Sequence, residues 1–274
     1  MSGLMREMGA KALRLGLPLS VHLDLTYRCN ERCVHCYLDH EDHGEMSTAE
    51  SGGENAKFGL STAEILDLLD QLAEAGVFFL ILSGGEIFLR KDLFEIVEYA
   101  RKLQFSVKLK TNAVLLREAS ARRIVQISVY SHRPEVHDKI TKVRGSLKRT
   151  IEGARLLRAN GVRVQFANVL MKHNASDYPQ VQALAAEMGV GYNLDATITP
   201  MMDGDRSILD LNITPEELEQ VYREPALVGN VEEFCAPPAG PLEPADAMDT
   251  LPCSAGHTAC YISPYGDLLP CVQF

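Results

Sequence analysis

Thr26-Tyr27-Arg28-Cys29-Asn30-Glu31-Arg32-Cys33-Val34-His35-Cys36-Tyr37 is the stretch on which the reading of this chain turns. Its cysteines stand in a C-x3-C-x2-C spacing directly after the apolar run Val21–Thr26, which predicts a strand. Three thiolates within eight residues can wrap one face of a cubane iron–sulfur cluster. A fourth iron then has no protein ligand, and an open iron can bind a small molecule and pass it an electron. The alternative is a zinc site using Cys33, Cys36 and two other ligands. Structural zinc usually takes two paired knuckles, and the sequence contains no second C-x2-C.

Outward from this stretch the chain repeats a unit: a short apolar run, a turn, an amphipathic segment, then another apolar run. Strands are predicted over Val21–Thr26, Val77–Leu82, Phe105–Lys110, Ile124–Val129, Val162–Leu170 and Gly191–Ala196. Helices are predicted over about 62–75, 92–103, 115–123, 147–160 and 177–188. Ser61 and Glu64 form an S-x-x-E capping box ahead of Ile65, Leu69 and Leu72, which share one helical face. Alternating strand and helix implies parallel strands with right-handed crossovers. The fold class expected is therefore α/β, a partial (β/α)6 TIM-like barrel with a short cysteine-rich C-terminal hairpin. A flat doubly wound sheet is the alternative.

The expected domains are a barrel over 1–200, a helical and irregular linker over 201–252, and a cysteine-rich region over 253–274. Residues 39–60 read as an acidic loop containing Gly and Ser. Thr214-Pro215-Glu216-Glu217 reads as a helix start, and Pro237, Pro238, Pro241, Pro244 and Pro252 read as an irregular segment.

Composition narrows the function classes. The 274 residues are 46% hydrophobic and 23% charged, ordinary for a soluble chain with a sizeable core. Net charge is −10, which argues against a general binder of nucleic-acid backbones. The longest strongly apolar run, Val77–Leu82, falls far short of the about 20 residues that span a bilayer. Residues 1–20 lack a signal-peptide arrangement. A cytoplasmic protein with no membrane and no nucleic-acid partner is expected. Seven cysteines fall in two groups, Cys29, Cys33 and Cys36, then Cys235, Cys253, Cys260 and Cys271. Without a secretion signal, such groups read as metal sites before disulfides.

The ordered motifs resemble the radical S-adenosylmethionine superfamily. C-x3-C-x2-C follows the first strand, and Ser83-Gly84-Gly85-Glu86 after the second resembles that family's GGE element. Thr111-Asn112 after the third resembles its TN element, and Ser128 ends the fourth strand. His137-Asp138 and Arg144-Gly145 resemble the stretch that follows. The resemblance implies a [4Fe–4S] cluster on Cys29, Cys33 and Cys36, with S-adenosyl-L-methionine as co-substrate. It implies that Gly84, Gly85 and Glu86 meet the methionine amino group. Thr111, Asn112, Ser128 and Arg144 become candidates for the remaining cofactor contacts, Arg144 for the carboxylate. Many family members carry an aromatic residue just before the third cysteine. Here that place is His35 and Tyr37 follows the cysteine, so Tyr37 is the candidate adenine contact. Read alone, each satellite has a plainer role: a turn for the glycines, a helix cap for Asn112, a solvated loop for Arg144, a surface position for His137.

A second resemblance lies at the C-terminus. Tyr265-Gly266-Asp267 is a tight turn between short apolar runs and predicts a hairpin. Cys253, a dozen residues, then Gly266-x4-Cys271 with an I-x-P-x-G core resembles the opening of a SPASM or twitch extension. In that family the hairpin cysteines ligate an auxiliary iron–sulfur cluster. Cys253, Cys260 and Cys271 would be its ligands here, with Cys235 the one available fourth. A full SPASM region continues with further cysteines, whereas the sequence ends at Phe274. A shortened chain is expected, without a second auxiliary cluster. A zinc knuckle or an idle hairpin is the alternative.

The function expected is reductive cleavage of S-adenosylmethionine, followed by hydrogen abstraction from a peptide or protein substrate. An external one-electron reductant of the flavodoxin or ferredoxin type is implied. A small-molecule or tetrapyrrole substrate is the alternative within the enzyme class, and a non-catalytic iron–sulfur protein the alternative outside it. Anionic substrates would want a basic rim, for which Lys108, Lys110, Lys139 and Lys142 are candidates, against a plain solvated role. Asp195, Tyr130 and His132 lie near strand ends and read as core or surface residues, and no catalytic acid or base is named.

Overall fold

The computed structural model describes residues 3–38, 59–116, 124–228 and 253–272. Six strands run in parallel: β1 (Ser20–Asp24), β2 (Phe79–Ser83), β3 (Ser106–Thr111), β4 (Ile124–Ser128), β5 (Arg163–Val169) and β6 (Gly191–Asp195). Each lies within two residues of its predicted span at either end. The helices between them are α2 (Thr62–Glu74), α3 (Leu93–Lys102), α4 (Pro134–Thr141), α5 (Ser146–Ala159) and α6 (Tyr178–Glu187). An N-terminal helix, α1 (Gly3–Leu15), precedes β1, while α7 (Pro215–Tyr222) and α8 (Pro225–Val228) follow β6. Two further strands, β7 (Ala259–Ile262) and β8 (Leu268–Leu269), form the predicted hairpin.

The strand order is β6-β5-β4-β3-β2-β1-β7-β8, and its two ends do not pair. This is the open partial barrel that six βα units imply. The hairpin does more than hang from it. Strand β7 adds to the sheet in parallel beside β1, with Val21 opposite Cys260 and Leu23 opposite Ile262.

Alternation along the strands separates the two faces of the sheet. On the outer face Leu23, Leu82, Leu109, Ile127 and Phe166 are buried among helix residues such as Leu69, Ile96 and Leu157. Each such side chain contributes about 1.5–3 kcal/mol by leaving water. Many inner positions are polar instead: Asp24 on β1, Lys108 and Lys110 on β3, Gln126 and Ser128 on β4. A lumen lined in this way does not pack shut, which leaves room for a site.

Local rules hold where the sequence states them. Ser61 Oγ accepts from the Glu64 amide, and the Glu64 carboxylate accepts from the Ser61 amide at 2.8 Å. Thr214 and Glu217 repeat the box at the start of α7. The helix expected over 115–123 lies outside the described residues from 117 onward, as do the loop from 39 to 58 and the proline-rich segment.

Candidate functional site

A cavity of about 420 Å³ opens where the inner strand faces meet the loops at their C-terminal ends. In parallel α/β folds sites are built at that rim. Cys29, Cys33 and Cys36 all line the cavity, each thiol free and partly exposed. Their loop is tied down at two points by the end of α4: the Arg32 amide donates to the Thr141 carbonyl at 3.1 Å and the Val34 amide to that of Ile140 at 2.9 Å. A turn from the Cys33 carbonyl to the Cys36 amide, 3.1 Å, sets the last thiol.

Among the described residues, no three His, Cys, Asp or Glu side chains converge on one ion position. A single zinc ion needs its donors at one point. A cubane offers each thiolate a separate iron, and all three thiols line one cavity. Burial pushes the Cys29 thiol up to about 12 and lifts Cys33 and Cys36 as well. A metal group must therefore expel protons as it binds. Glu31, between the first two cysteines, is raised to about 8 by burial. Its Oε1 is buried with no partner among the described residues, while Oε2 lies 3.6 Å from the Cys33 sulfur.

Gly84 and Gly85 also line the cavity, and the backbone explains why both are glycine. A Cβ on Gly84 would meet the Thr26 carbonyl oxygen at 2.1 Å, and one on Gly85 the Arg28 carbonyl oxygen at 2.3 Å. Gly84 also holds φ of +122°. The Gly85 amide donates to Thr26 at 2.7 Å and the Glu86 amide to Arg28 at 2.8 Å. The glycine loop thus lies directly against the strand that leads into the cysteines, leaving a bare backbone cradle beside the thiols.

Glu86 is placed differently from its two glycines. Its carboxylate is 0% exposed and does not line the cavity. Both oxygens accept from Thr111 Oγ1, at 2.8 and 2.9 Å, and the Asn112 and Phe88 amides donate to it at 2.8 and 3.0 Å. Burial raises its pKa, against the opposing pull of these donors. Thr111 and Asn112 reach the cavity, and Asn112 Nδ2 lies 2.9 Å from Asn30 Oδ1 and 4.0 Å from the Cys29 sulfur. Ser128 and Tyr37 line the cavity too, whereas Arg144 is exposed and outside it.

Several lining groups are ones the sequence reading passed over or gave a plainer role. Tyr130 is buried, 4.0 Å from the Cys33 sulfur and edge-on to His35. Asp195 and Lys110 face the cavity, while Lys139 and Lys142 are exposed. The usable signal was strand alternation, which sends every second residue of β3 and β4 inward. His137, read from its local sequence as a surface position, is only 1% exposed. It sits against Ser146 Oγ at 3.1 Å, and Ser146 also meets Thr141 and Asp138. This polar knot fixes α4 and with it the backbone that anchors the cysteine loop.

The hairpin reaches the same region from the other side. The Tyr261 hydroxyl lies 2.9 Å from Asp24 Oδ2 and 2.7 Å from the Tyr27 hydroxyl, and Tyr37 donates to the same Asp24 oxygen at 3.4 Å. Val272, next to Cys271, lines the cavity. Cys260 is half-buried against the barrel core and Cys253 is exposed. Cys253, Cys260 and Cys271 do not converge on one ion position. Cys235 lies outside the described residues.

Comparison with known proteins agrees with this geometry. The sequence profile of the radical SAM superfamily matches residues 23–185. Mycofactocin maturase MftC of Mycobacterium tuberculosis is 29% identical over 94% of this chain, which spans 65% of that relative's length. PqqA peptide cyclase of Xanthomonas oryzae pv. oryzae is 32% identical over 93% of this chain and 68% of its own. Among solved structures, Streptococcus suis SuiB bound to its precursor peptide SuiA superposes with a TM-score of 0.69 at 17% identity, covering 98% of this chain and 63% of SuiB. At that identity the likeness is one of fold. No helix of the described residues is long and apolar enough to cross a membrane.

Proposed function

The chain belongs to the radical S-adenosylmethionine superfamily, and from that premise we propose that it cleaves S-adenosylmethionine reductively and uses the product to modify a peptide. The observation that carries the proposal is the shared wall: three free thiols and the bare Gly84-Gly85 backbone line one cavity. The donor set fits a [4Fe–4S] cluster, because all three donors are thiols and they line one cavity. Cys29, Cys33 and Cys36 would hold it. When bound, the cluster supplies one electron to S-adenosylmethionine, and the carbon radical so released removes a hydrogen atom from the substrate.

The chain's own part is binding, orientation and exclusion of water. Gly84 and Gly85, pressed against the Thr26 and Arg28 carbonyls, line the cavity with bare main chain where the methionine amino end would lie. Thr111, Asn112, Ser128 and Tyr37 line the space where the rest of that molecule would lie. Glu86 acts as a positioning residue, locking the Thr111-Asn112 turn against the glycine loop. Arg144, exposed in the structure, would reach the carboxylate only by folding inward. Residues 1–200 form the catalytic barrel and residues 253–274 open an auxiliary-cluster region. A flavodoxin- or ferredoxin-type protein is the proposed electron donor.

A peptide substrate is supported by the relatives, which include a mycofactocin maturase and a peptide cyclase, and by the lateral opening of the lumen. There Asn193 and Asp195 on β6 line the cavity while remaining exposed. The test is anaerobic reconstitution with iron and sulfide, reduction with dithionite, and measurement of 5′-deoxyadenosine from S-adenosylmethionine. The parent should form it and the Cys29→Ala/Cys33→Ala/Cys36→Ala variant should not. A parent that holds the cluster yet forms none would end the enzyme reading.

A further inference from the structure

Among the described residues Lys110 is the one lysine or arginine side chain that lines the cavity. It projects from β3 beside Gln126 of β4, its partner in the register. Among the described residues no carboxylate lies within ion-pairing distance of its ammonium. Burial in the wall pushes that ammonium below the usual lysine range, while Asp24 and Asp195 pull the other way. The Gln126 side chain is 8% exposed and makes no hydrogen bond with any described residue. A largely buried cation beside an unused amide is costly unless something arrives to pair with them.

We propose that Lys110 and Gln126 form a subsite for a substrate carboxylate, the side chain of an Asp or Glu or a free C-terminus of the peptide. This rests on the peptide-modifying reading above and adds to it a requirement on the peptide. A carboxylate can take one ammonium and one amide donor together. Lys108 adds a second positive charge nearby while Asp24 and Asp195 are negative, a balance that suits a singly charged carboxylate better than a phosphate dianion. Depth separates this subsite from the methionine end of S-adenosylmethionine. The rim groups Asn112 and Ser128 lie two residues further along their strands, so Lys110 starts about 7 Å deeper in the lumen.

The test is competitive acetylation of the reconstituted protein with trace acetic anhydride, read by mass spectrometry, with exposed Lys148 as internal reference. Glutarate is the carboxylate probe, glutaramide its neutral counterpart, inorganic phosphate the other anion, and S-adenosylmethionine a separate arm. Saturating glutarate should slow acetylation of Lys110 about tenfold, since one paired carboxylate raises an amine's pKa by about a unit. Lys148 should not change, and glutaramide and S-adenosylmethionine should leave Lys110 reactive. Protection by S-adenosylmethionine alone, or by phosphate more than glutarate, overturns the assignment. So does a lack of protection by glutarate. The same sample is assayed for 5′-deoxyadenosine. Absent protection with intact cleavage removes the subsite alone, and protection without cleavage removes the functional reading alone.

Discussion

Thr111, at the end of β3, and Glu86, three residues past β2, meet through one hydroxyl that lies 2.8 and 2.9 Å from the two oxygens of one carboxylate. The contact joins the end of β3 to the end of β2, and the Asn112 and Phe88 amides complete the carboxylate's shell. Replacing Glu86 by Ala would strand one hydroxyl and two amides in a dry interior. At about 1–3 kcal/mol for each buried group left without a partner, the urea midpoint should drop sharply. Glu86→Gln keeps the volume but turns an NH2 donor toward a donor amide. It should cost less stability and still reduce 5′-deoxyadenosine formation, because the Thr111-Asn112 turn shifts.

Two glycines of positive φ give a matched pair of tests. Gly84 has the Thr26 carbonyl where its Cβ would be, whereas Gly76, with φ of +85°, has nothing within 4 Å. Gly76→Ala should cost about 1 kcal/mol of backbone strain, read in urea unfolding, with S-adenosylmethionine binding unchanged. Gly84→Ala adds a clash with main chain, so it should cost more than about 3 kcal/mol and abolish binding measured by equilibrium dialysis. Equal losses from both variants would refute the cradle.

The buried His137 makes a prediction about acid. Burial lowers its pKa to about 4 from the usual 6.5. The folded state therefore prefers neutral imidazole. As pH falls below about 6.5 the unfolded chain takes up a proton that the folded chain refuses, and stability drops by about 1.4 kcal/mol per pH unit until about pH 4. The contribution is present above pH 6.5 and lost on acidification. Urea midpoints at pH 7.5 and 5 should fall further apart in the parent than in His137→Gln, which has no proton to gain. Carboxylates other than Asp138, which faces His137, titrate alike in both proteins, so the difference reports the histidine and its one acidic neighbour.

Strands, crossovers and the placing of three cysteines at one rim were legible because they rest on local pattern. Apolar runs such as Phe79–Ser83 stay apolar whatever surrounds them, and C-x3-C-x2-C carries its chemistry within eight residues. What escaped the sequence depends on partners distant in the chain. Helix α4 lacks a side-chain cap at Arg133 and was not foreseen as a helix, although Pro134 occupies its first turn. The burial of His137 is invisible until Ser146 and Thr141 are brought to it. The separation of Glu86 from its two glycines also comes only from the fold, since the next residue of a turn points the other way.

Tyr261 probes how the hairpin is held. Its hydroxyl is one of two that face Asp24 Oδ2, and Asp24 itself is 0% exposed. Tyr261→Phe should destabilise the protein by about 1–3 kcal/mol, because a buried carboxylate loses a charge-assisted donor. Tyr265→Phe, at the exposed turn of the same hairpin, should cost less. Thermal unfolding of the two variants side by side decides the point. Similar melting temperatures would mean that backbone pairing alone docks the strand.

Strand β1 draws its neighbour β7 from the far end of the chain, and the Asp24–Tyr261 contact across that seam spans 237 residues. Loops of that length close slowly. On the ribosome β1 is made early, with the cysteine loop at its tip, yet one edge stays bare until β7 has been synthesised. An unpaired edge is a template for foreign strands. The protein is thus most open to misassembly during its own synthesis, and cluster insertion before the hairpin arrives would meet a half-built wall. The seam beside β1 therefore closes only once the hairpin has been made.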